Sequence, residues 1–373
     1  MTDRAAASRG GPGARLRVFP IVELALLGLF ALLPFLVGDF LIIIATRMVI
    51  LAMLAISFDL CWGYSGIMSF GQGLFFGMAG YVVALLANKA GFVQLWGVVP
   101  IAMLVGLLVA FLIGWFLLLG KRTPTIIFVA LGTLTASYAA ERLVAGWQWV
   151  GGGNGLSVWD FLKIGGYELE PGLVFYYLAV GFLVAVYLAS RYLVRSQFGL
   201  VLAGMRQNEQ RLAFLGYKVQ VFKALVFAFA GMISGLAGAL YTYHEGFVGP
   251  GNMGIVQSTY AVLYTLFGGA GTLIGPVIGT AAIEGVSFFL ADREEVKSFW
   301  PVILGLIMLI VVAYKPTGLL GFVVSQRERF GTFGIARPRA LRGGGARTVR
   351  EVGKEGGEEG PKAGAEEGER GVA

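Results

Sequence analysis

Histidine and cysteine are almost absent from this chain, in which His244 and Cys61 are the single residues of each type among 373. One cysteine cannot form an internal disulfide, and its apolar surroundings favour simple burial. Metal sites built on histidine or cysteine are excluded by count. His244 has no catalytic partner pattern around it. We expect it to be a hydrated residue at a membrane surface, with a gate or pH-sensitive contact as the alternative. The chain is therefore predicted not to be an enzyme.

Charged residues are also scarce, at 14% of the chain compared with about 25% in a soluble protein. Hydrophobic residues make up 57%, and the mean hydropathy is +0.77. Apolar runs of about 20 residues, enough to cross a bilayer, recur along the chain. The 57 glycines fit this class because small residues let helices approach closely. The sequence therefore predicts an all-α polytopic membrane protein. The net charge of +7 lies at segment ends and does not indicate nucleic-acid binding.

A phosphate-binding loop is missing as well. Such a loop needs two glycines separated by four residues, followed by Lys and Ser or Thr. The nearest string, GWFLLLGKRT, has five residues between Gly114 and Gly120, and Arg122 follows the lysine. We therefore expect no cofactor in this chain. If nucleotide energy is used, a partner subunit must bind the ATP.

The apolar runs predict ten spans, at residues 20–38, 40–61, 66–88, 97–119, 124–144, 172–190, 222–243, 256–273, 276–291 and 299–314. Basic residues favour the cytoplasmic side. With an even number of spans, the basic clusters and both termini all fall on that side. Residues 256–291 are too many for one helix with ordinary tilt, and GGAGTLIGPVIG in the middle supplies a break.

Charge divides the chain into three regions. Residues 1–19 form a basic cytoplasmic N-terminus, which precedes an apolar run without a cleavage site and therefore a retained span. Residues 20–324 form the transmembrane domain, with a cationic cytoplasmic loop at 191–221. Residues 325–373 form a charged, glycine-rich cytoplasmic tail. We expect this tail to be disordered because it has too little apolar surface to bury.

Two glycine-rich stretches interrupt predicted spans, WGYSGIMSFGQGLFFGMAGY at 62–81 and FGGAGTLIGPVIG at 267–279. Each glycine weakens a helix by about 1 kcal/mol relative to alanine. Broken backbone at membrane depth persists only where it is buried in protein or lines a cavity. Tight packing and a translocation pathway both explain the stretches, and their clustering favours the pathway. The candidate pathway residues are Gly63, Gly66, Ser69, Gly71, Gln72, Gly269, Gly271, Gly275 and Pro276.

The two stretches occupy corresponding places in two sets of five spans, which suggests a five-plus-five inverted repeat with interrupted helices. The ionisable residues inside apolar runs include Arg47, Asp59 and Glu284. Arg47 and Asp59 are too far apart to pair within one helix, and each is expected to reach a membrane surface from its own end. Glu284 lies mid-segment, where an acid normally faces the bundle interior or water. A structural partner and a pathway role both remain open for Glu284.

Several motifs together resemble the LivM-type permeases of branched-chain amino acid ABC importers. WGYSGIMSFGQGLFFGMAGY is similar to their early motif. Residues 195–241, which begin with RSQFGL and end with AGALY, are similar to their cytoplasmic loop and the helix that follows it. FGGAGTLIGPVIG and KPTGLLG are similar to their late motif and their end, so the resemblance covers about residues 40–322. The resemblance implies a bacterial inner-membrane subunit. Its implied partners are a homologous permease, two cytoplasmic ATPases and an external substrate-binding protein.

The resemblance also implies roles in the loop at 191–221. Glu209 and Gly216 fall where the family's coupling motif has its glutamate and glycine, and Arg206 and Asn208 match the residues before it. We expect a short helix within 199–218 that inserts into the ATPase, with Leu212, Phe214 and Leu215 in an apolar pocket. Two alternatives remain: a permease of a urea or short-amide importer, and an ion-coupled secondary transporter.

Overall fold

The computed structural model describes residues 38–119 and 125–291, together with 28, 30, 32–35, 302, 305, 306, 309 and 318–322. Its helices are α1 (Asp39–Asp59), α2 (Gln72–Ala90), α3 (Leu95–Leu118), α4 (Ile126–Gly146), α5 (Leu173–Arg195), α6 (Gln197–Gln207), α7 (Glu209–Phe214), α8 (Val219–Glu245), α9 (Ile255–Gly268) and α10 (Ile274–Ala291). Most of the predicted spans 20–38 and 299–314, and all of the tail 325–373, lie outside the described residues.

Short strands and turns complete the described chain. The strands are β1 (Leu156–Ser157), β2 (Leu162–Ile164), β3 (Tyr167–Leu169) and β4 (Phe247–Val248). Strands β2 and β3 form an antiparallel hairpin, and β1 pairs antiparallel with β4. The helices dominate, and the predicted all-α polytopic class is confirmed.

Six helices of the described chain are long and apolar enough to cross a membrane. They are α1 with the turn that follows it (Asp39–Tyr64), α2, α3, α4, α5 and α8. They match the six predicted spans from 40–61 to 222–243. Helices α9 and α10 fall on the last two predicted spans before residue 292, and the predicted break between them is present at 269–273.

The connections between helices lie at two ends of the bundle. The loop end carries α6 and α7, which connect the C-terminus of α5 to the N-terminus of α8. The hairpin end carries β1 to β3, which connect α4 to the N-terminus of α5, and β4, which follows α8. The segments predicted to lie on opposite sides, 145–171 and 191–221, are therefore at opposite ends of α5.

Glycine brings α8, the most deeply buried long helix of the described chain, against its neighbours. A Cβ atom at Gly106 of α3 would overlap the carbonyl oxygen of Gly231 and lie 2.9 Å from the Cα atom of Gly235. On another side of α8, a Cβ atom at Gly238 would overlap the carbonyl oxygen of Phe76 in α2. These helices touch through their backbones, as small residues allow in membrane bundles.

This contact predicts that Gly106→Val destabilises the fold, because overpacking a tight contact costs about 1–3 kcal/mol. Gly181→Val is a matched control in α5, where an added Cβ atom meets nothing within 4 Å. Thermal unfolding of the purified protein in detergent should show a lower midpoint for G106V than for G181V. Equal midpoints would contradict the packing role of Gly106.

Candidate functional site

The first helix break follows α1. The chain forms a π-helical turn at Leu60–Tyr64, continues without regular structure through residues 65–71, and enters α2 at Gln72. Every residue of 65–71 is buried or half-buried. The irregular backbone is thus enclosed by protein, the condition under which it is tolerated in a membrane. The predicted interruption is confirmed, although span 66–88 begins as a helix only at residue 72.

Gln72 holds this break to the neighbouring helices. Its side-chain oxygen accepts a hydrogen bond from the Ser57 hydroxyl at 3.1 Å, and its amide nitrogen lies 3.6 Å from the Cys61 sulfur. Its backbone carbonyl accepts from the Ser234 hydroxyl of α8 at 2.7 Å. Nearby, the Ser69 hydroxyl accepts from the Gly71 N–H at 3.1 Å. Cys61 is buried and unpaired, as the sequence predicts.

The second break separates α9 from α10. The turn has positive φ angles at three positions. Gly269 and Gly271 have φ angles of 118° and 81°, which glycine adopts without strain, and the non-glycine residue Leu273 has a φ of 58°. The Thr272 hydroxyl donates to the Gly269 carbonyl at 2.8 Å and accepts from the Gly275 N–H at 2.9 Å. The turn is therefore closed by its own side chain.

Glycine and proline residues allow α10 to pack closely against α9 after this turn. A Cβ atom at Gly268 would overlap the Gly275 carbonyl, and one at Gly279 would overlap the Tyr264 carbonyl. Pro276 lies in the first turn of α10, where its missing N–H has no intrahelical acceptor to lose. Helices α9 and α10 consequently pack backbone against backbone.

Asp59 joins the two breaks. Its carboxylate oxygens accept hydrogen bonds from the N–H groups of Gly271 at 2.5 Å and Leu273 at 3.0 Å. A Cβ atom at Gly63 would lie 2.8 Å from the Cα atom of Gly271, so the breaks touch directly. Asp59 is 0% exposed, and the expectation that it reaches the membrane surface is wrong. A buried turn leaves N–H groups without partners, and the carboxylate supplies them.

Arg206, at the end of α6, binds the first break and lies beside the second, at the loop end. Its Nη1 atom donates to the Gly63 carbonyl and would lie 3.3 Å from a Cβ atom at Gly271. Its Cγ atom would lie 3.7 Å from a Cβ atom at Gly66, which has a φ of 75°. We call Asp59, Gly63, Gly271 and Arg206 the break junction. The sequence assigned Arg206 to the loop and the glycines to a pathway, and the structure brings them together.

The other three predicted loop residues shape α7. The Asn208 side chain caps the helix by accepting from the Arg211 N–H at 3.0 Å. The Glu209 carboxylate lies 2.6 Å from the ammonium group of Lys223 in α8. Gly216, with a φ of 87°, ends the turn that follows α7. The predicted short helix within 199–218 is confirmed as α7, directly after α6.

Apolar side chains of α7 and its end point away from the bundle. Phe214 is 90% exposed and Leu215 is 74% exposed. Leu212, predicted to share their pocket, is half-buried and faces Gly204 of α6. The outward apolar face at this point therefore consists of Phe214 and Leu215, with the half-exposed Tyr217 beside them.

His244 is buried rather than hydrated, and the surface expectation for it is wrong. Its Nε2 atom lies 3.0 Å from the Ile43 carbonyl of α1, and its ring packs 5.6 Å from that of Phe175 in α5. It joins three helices near the hairpin end. Among the described residues, no three His, Cys, Asp or Glu side chains form a group that could hold a metal ion.

Comparison with known proteins agrees with this architecture. The chain is 26% identical over 320 residues to the "High-affinity branched-chain amino acid transport system permease protein LivM" of Escherichia coli (strain K12), covering 79% of this chain and 73% of that protein. It is 24% identical to the "Probable branched-chain amino acid transport permease protein LivM" of Methanocaldococcus jannaschii, covering 71% and 89%. It is 27% identical to the "Autoinducer 2 import system permease protein LsrC" of Escherichia coli O9:H4 (strain HS), covering 64% and 68%.

No solved structure matches the chain. Residues 40–312 match the family described as "Branched-chain amino acid transport system / permease component". This match contains both helix breaks, α6, α7 and the break junction. It confirms the resemblance that the motifs indicate and identifies a multi-pass membrane protein that works with other subunits. The chain belongs to the permease component family of branched-chain amino acid transport systems.

Proposed function

We propose that this chain is an inner-membrane permease subunit of an ABC importer for branched-chain or related amino acids. It forms the translocation pathway with a second, homologous permease and receives solute from an external binding protein. Two cytoplasmic ATPases bind the ATP, and both chain termini are cytoplasmic. The observation that carries the proposal is the position of Arg206, which precedes a helix with exposed apolar residues, binds the first helix break and lies beside the second.

Helix α7 is the proposed docking element for an ATPase. Phe214 and Leu215 offer an aromatic and an aliphatic anchor, and the exposed side chains of Arg211 and Lys218 surround them with charge. Anchors of this kind, surrounded by polar residues, carry most of the binding energy at protein interfaces. The Glu209–Lys223 ion pair holds α7 against the start of α8, so the docking surface is presented in a fixed orientation.

The break junction is the proposed link from α7 to the pathway. Arg206 is two residues before Asn208, the cap of α7, so a displacement of α7 moves Arg206 and the Gly63 carbonyl bound to it. Asp59 attaches the second break to the end of α1, so both breaks move together. We propose that this movement opens and closes the loop end. The remaining candidate pathway residues, Gly66, Ser69, Gly71, Gln72, Gly269, Gly275 and Pro276, follow or precede the junction along the chain.

A urea or short-amide importer permease is the second candidate. The matched relatives include proteins named for branched-chain amino acids and for autoinducer 2, so membership of this family does not by itself set the solute. The string WGY at 62–64 and the string RLAFLGY at 211–217 also resemble strings in permeases of urea and short-amide importers. An ion-coupled secondary transporter has less support, since it leaves α7 and the junction without a role.

The proposal predicts ATP-driven transport. Uptake of leucine into vesicles that hold the complete complex should require ATP and persist when a proton ionophore collapses the proton gradient, because the energy comes from the ATPases. Radiolabelled leucine and acetamide, measured in parallel, separate the two candidate solutes. Ion-driven uptake by this chain reconstituted alone would instead support the secondary transporter.

The docking face predicts that Phe214→Asp weakens binding of the ATPase by about 2 kcal/mol or more, the loss typical of an interface hot spot. Gln210→Asp places the same charge on an exposed polar position of the same helix and should have little effect. Affinity can be measured by titrating the purified ATPase onto the permease pair in nanodiscs. Unchanged affinity of the F214D variant would place the docking surface elsewhere.

The junction predicts that Arg206→Gln uncouples the complex. A hydrogen bond to a charged group contributes about 1.5–3 kcal/mol, so its loss should lower uptake per ATP hydrolysed by about tenfold or more. Arg211→Gln removes the same charge from α7 without touching either break. It should change uptake and ATP hydrolysis in parallel. If R206Q keeps the wild-type ratio of uptake to hydrolysis, the junction does not transmit movement.

A further inference from the structure

A second group of charged side chains lies at the other end of the α1–α10 pair. The Arg47 Nε atom is 3.8 Å from a carboxylate oxygen of Glu245 and 3.8 Å from one of Glu284. The Tyr264 hydroxyl donates to Glu284, and the Arg47 guanidinium lies 6.0 Å from the ring centre of Tyr241. We call Arg47, Tyr241, Glu245, Tyr264 and Glu284 the polar cluster. Helices α1, α8, α9 and α10 each contribute to it.

The ionic contacts within the polar cluster are loose. A separation of 3.8 Å exceeds hydrogen-bond distance, and the Arg47 guanidinium makes no hydrogen bond to any residue that the structure describes. Its side chain is 46% exposed, while two carboxylates share this one cation. Among the described residues, the Arg47 donors are therefore unbonded, and the oxygens of two carboxylates lie beside them.

The position of the polar cluster favours protein or water over lipid as its neighbour. Arg47 is eight residues inside α1, and twelve residues, or about 18 Å of helix, separate it from Asp59 at the break junction. Charged side chains within a membrane span face protein or water rather than acyl chains. Arg47 faces Glu245 and Glu284, a pairing across helices that the sequence did not indicate.

We propose that the polar cluster is a solute-binding site on the translocation route. It binds a small polar solute that offers N–H donors to Glu245 and Glu284 and an acceptor oxygen to Arg47. An α-amino acid supplies these groups as ammonium and carboxylate, and a short amide supplies them as NH₂ and carbonyl. Tyr260, stacked on Tyr264 at 5.8 Å, adds a flat wall beside the acids. The inference rests on the proposed function and states where the solute's polar end is held.

The polar cluster and the break junction are connected through the same two helices, α1 and α10. Helices α1 and α10 are joined at one end by Asp59 with Gly271 and Leu273, and at the other by Arg47 with Glu284. Solute bound at the polar cluster is therefore about 18 Å, or twelve residues of α1, from the gate proposed at the loop end. A solute in the cluster would bridge α1, α8 and α10 in place of the loose ionic contacts.

Cysteine accessibility tests this site, because the chain's own Cys61 is fully buried. The variant Glu245→Cys, in the complete complex in vesicles, is treated from the external side with a cationic, membrane-impermeant methanethiosulfonate. We expect E245C to be modified, since the cluster faces water. Leu104→Cys lies on an exposed apolar face of α3 and should remain unmodified, as should the wild-type chain. An unreactive E245C would mean that lipid or protein covers the cluster, and the inference would be wrong.

Protection by solute identifies the ligand. At about ten times its half-saturating concentration, a solute that occupies the site should slow modification about tenfold. Protection by leucine identifies an amino-acid site, and protection by acetamide identifies an amide site. Adding Arg47→Gln to E245C should remove the protection, measured as the ratio of the modification rates with and without solute in the double variant itself. Tyr260→Cys, which keeps all three charged side chains, should show the same protection.

Absence of protection in both E245C and Y260C would overturn the inference. ATP-driven uptake by the wild-type complex, measured in the same vesicles with leucine and acetamide, separates this failure from a failure of the proposed function. Uptake without protection would contradict only the inferred binding site. If neither solute is taken up, the proposed function itself is contradicted.

Discussion

Where a helix is interrupted inside a membrane, its backbone N–H and C=O groups have no water to bond with. They must therefore find hydrogen-bond partners within the protein. The two breaks of this chain meet that requirement together. Asp59 accepts from two N–H groups of the second break, and Arg206 donates to a carbonyl of the first. These contacts between the breaks add to the hydrogen bonds within each of them. The arrangement of α1, α2, α9 and α10 follows from this mutual satisfaction.

The sequence predicts the parts of this fold that depend on local composition. Apolar length gives the helices, and glycine density locates both breaks. The helix boundaries are less well predicted, because glycine density does not show at which residue a helix begins or ends. Span 66–88 starts as α2 at residue 72, and span 256–273 ends as α9 at residue 268. In both cases the missing residues belong to a turn that tertiary contacts stabilise.

The pairings that create the site could not be predicted in the same way. Asp59 and Gly271 are 212 residues apart, and Arg206 and Gly63 are 143 apart, so no local pattern connects them. The two misjudged residues share one cause. Asp59 and His244 lie near the ends of apolar runs, which suggests the membrane surface, yet neighbouring helices enclose their polar atoms. The sequence feature that could have indicated the role of Asp59 is its position, since it is an acid directly before a glycine-rich break.

The ion pair between Glu209 and Lys223 has a mechanical meaning when it is considered with Arg206. Arg206 ties the segment before α7 to the helix breaks, and Glu209 ties the first turn of α7 to the start of α8. The other end of α7 is anchored too, because the chain turns after Leu215 and enters α8 at Val219. A short helix anchored at both ends cannot turn on its own. A push on Phe214 and Leu215 would therefore shift α7, the end of α6 and the start of α8 as one body.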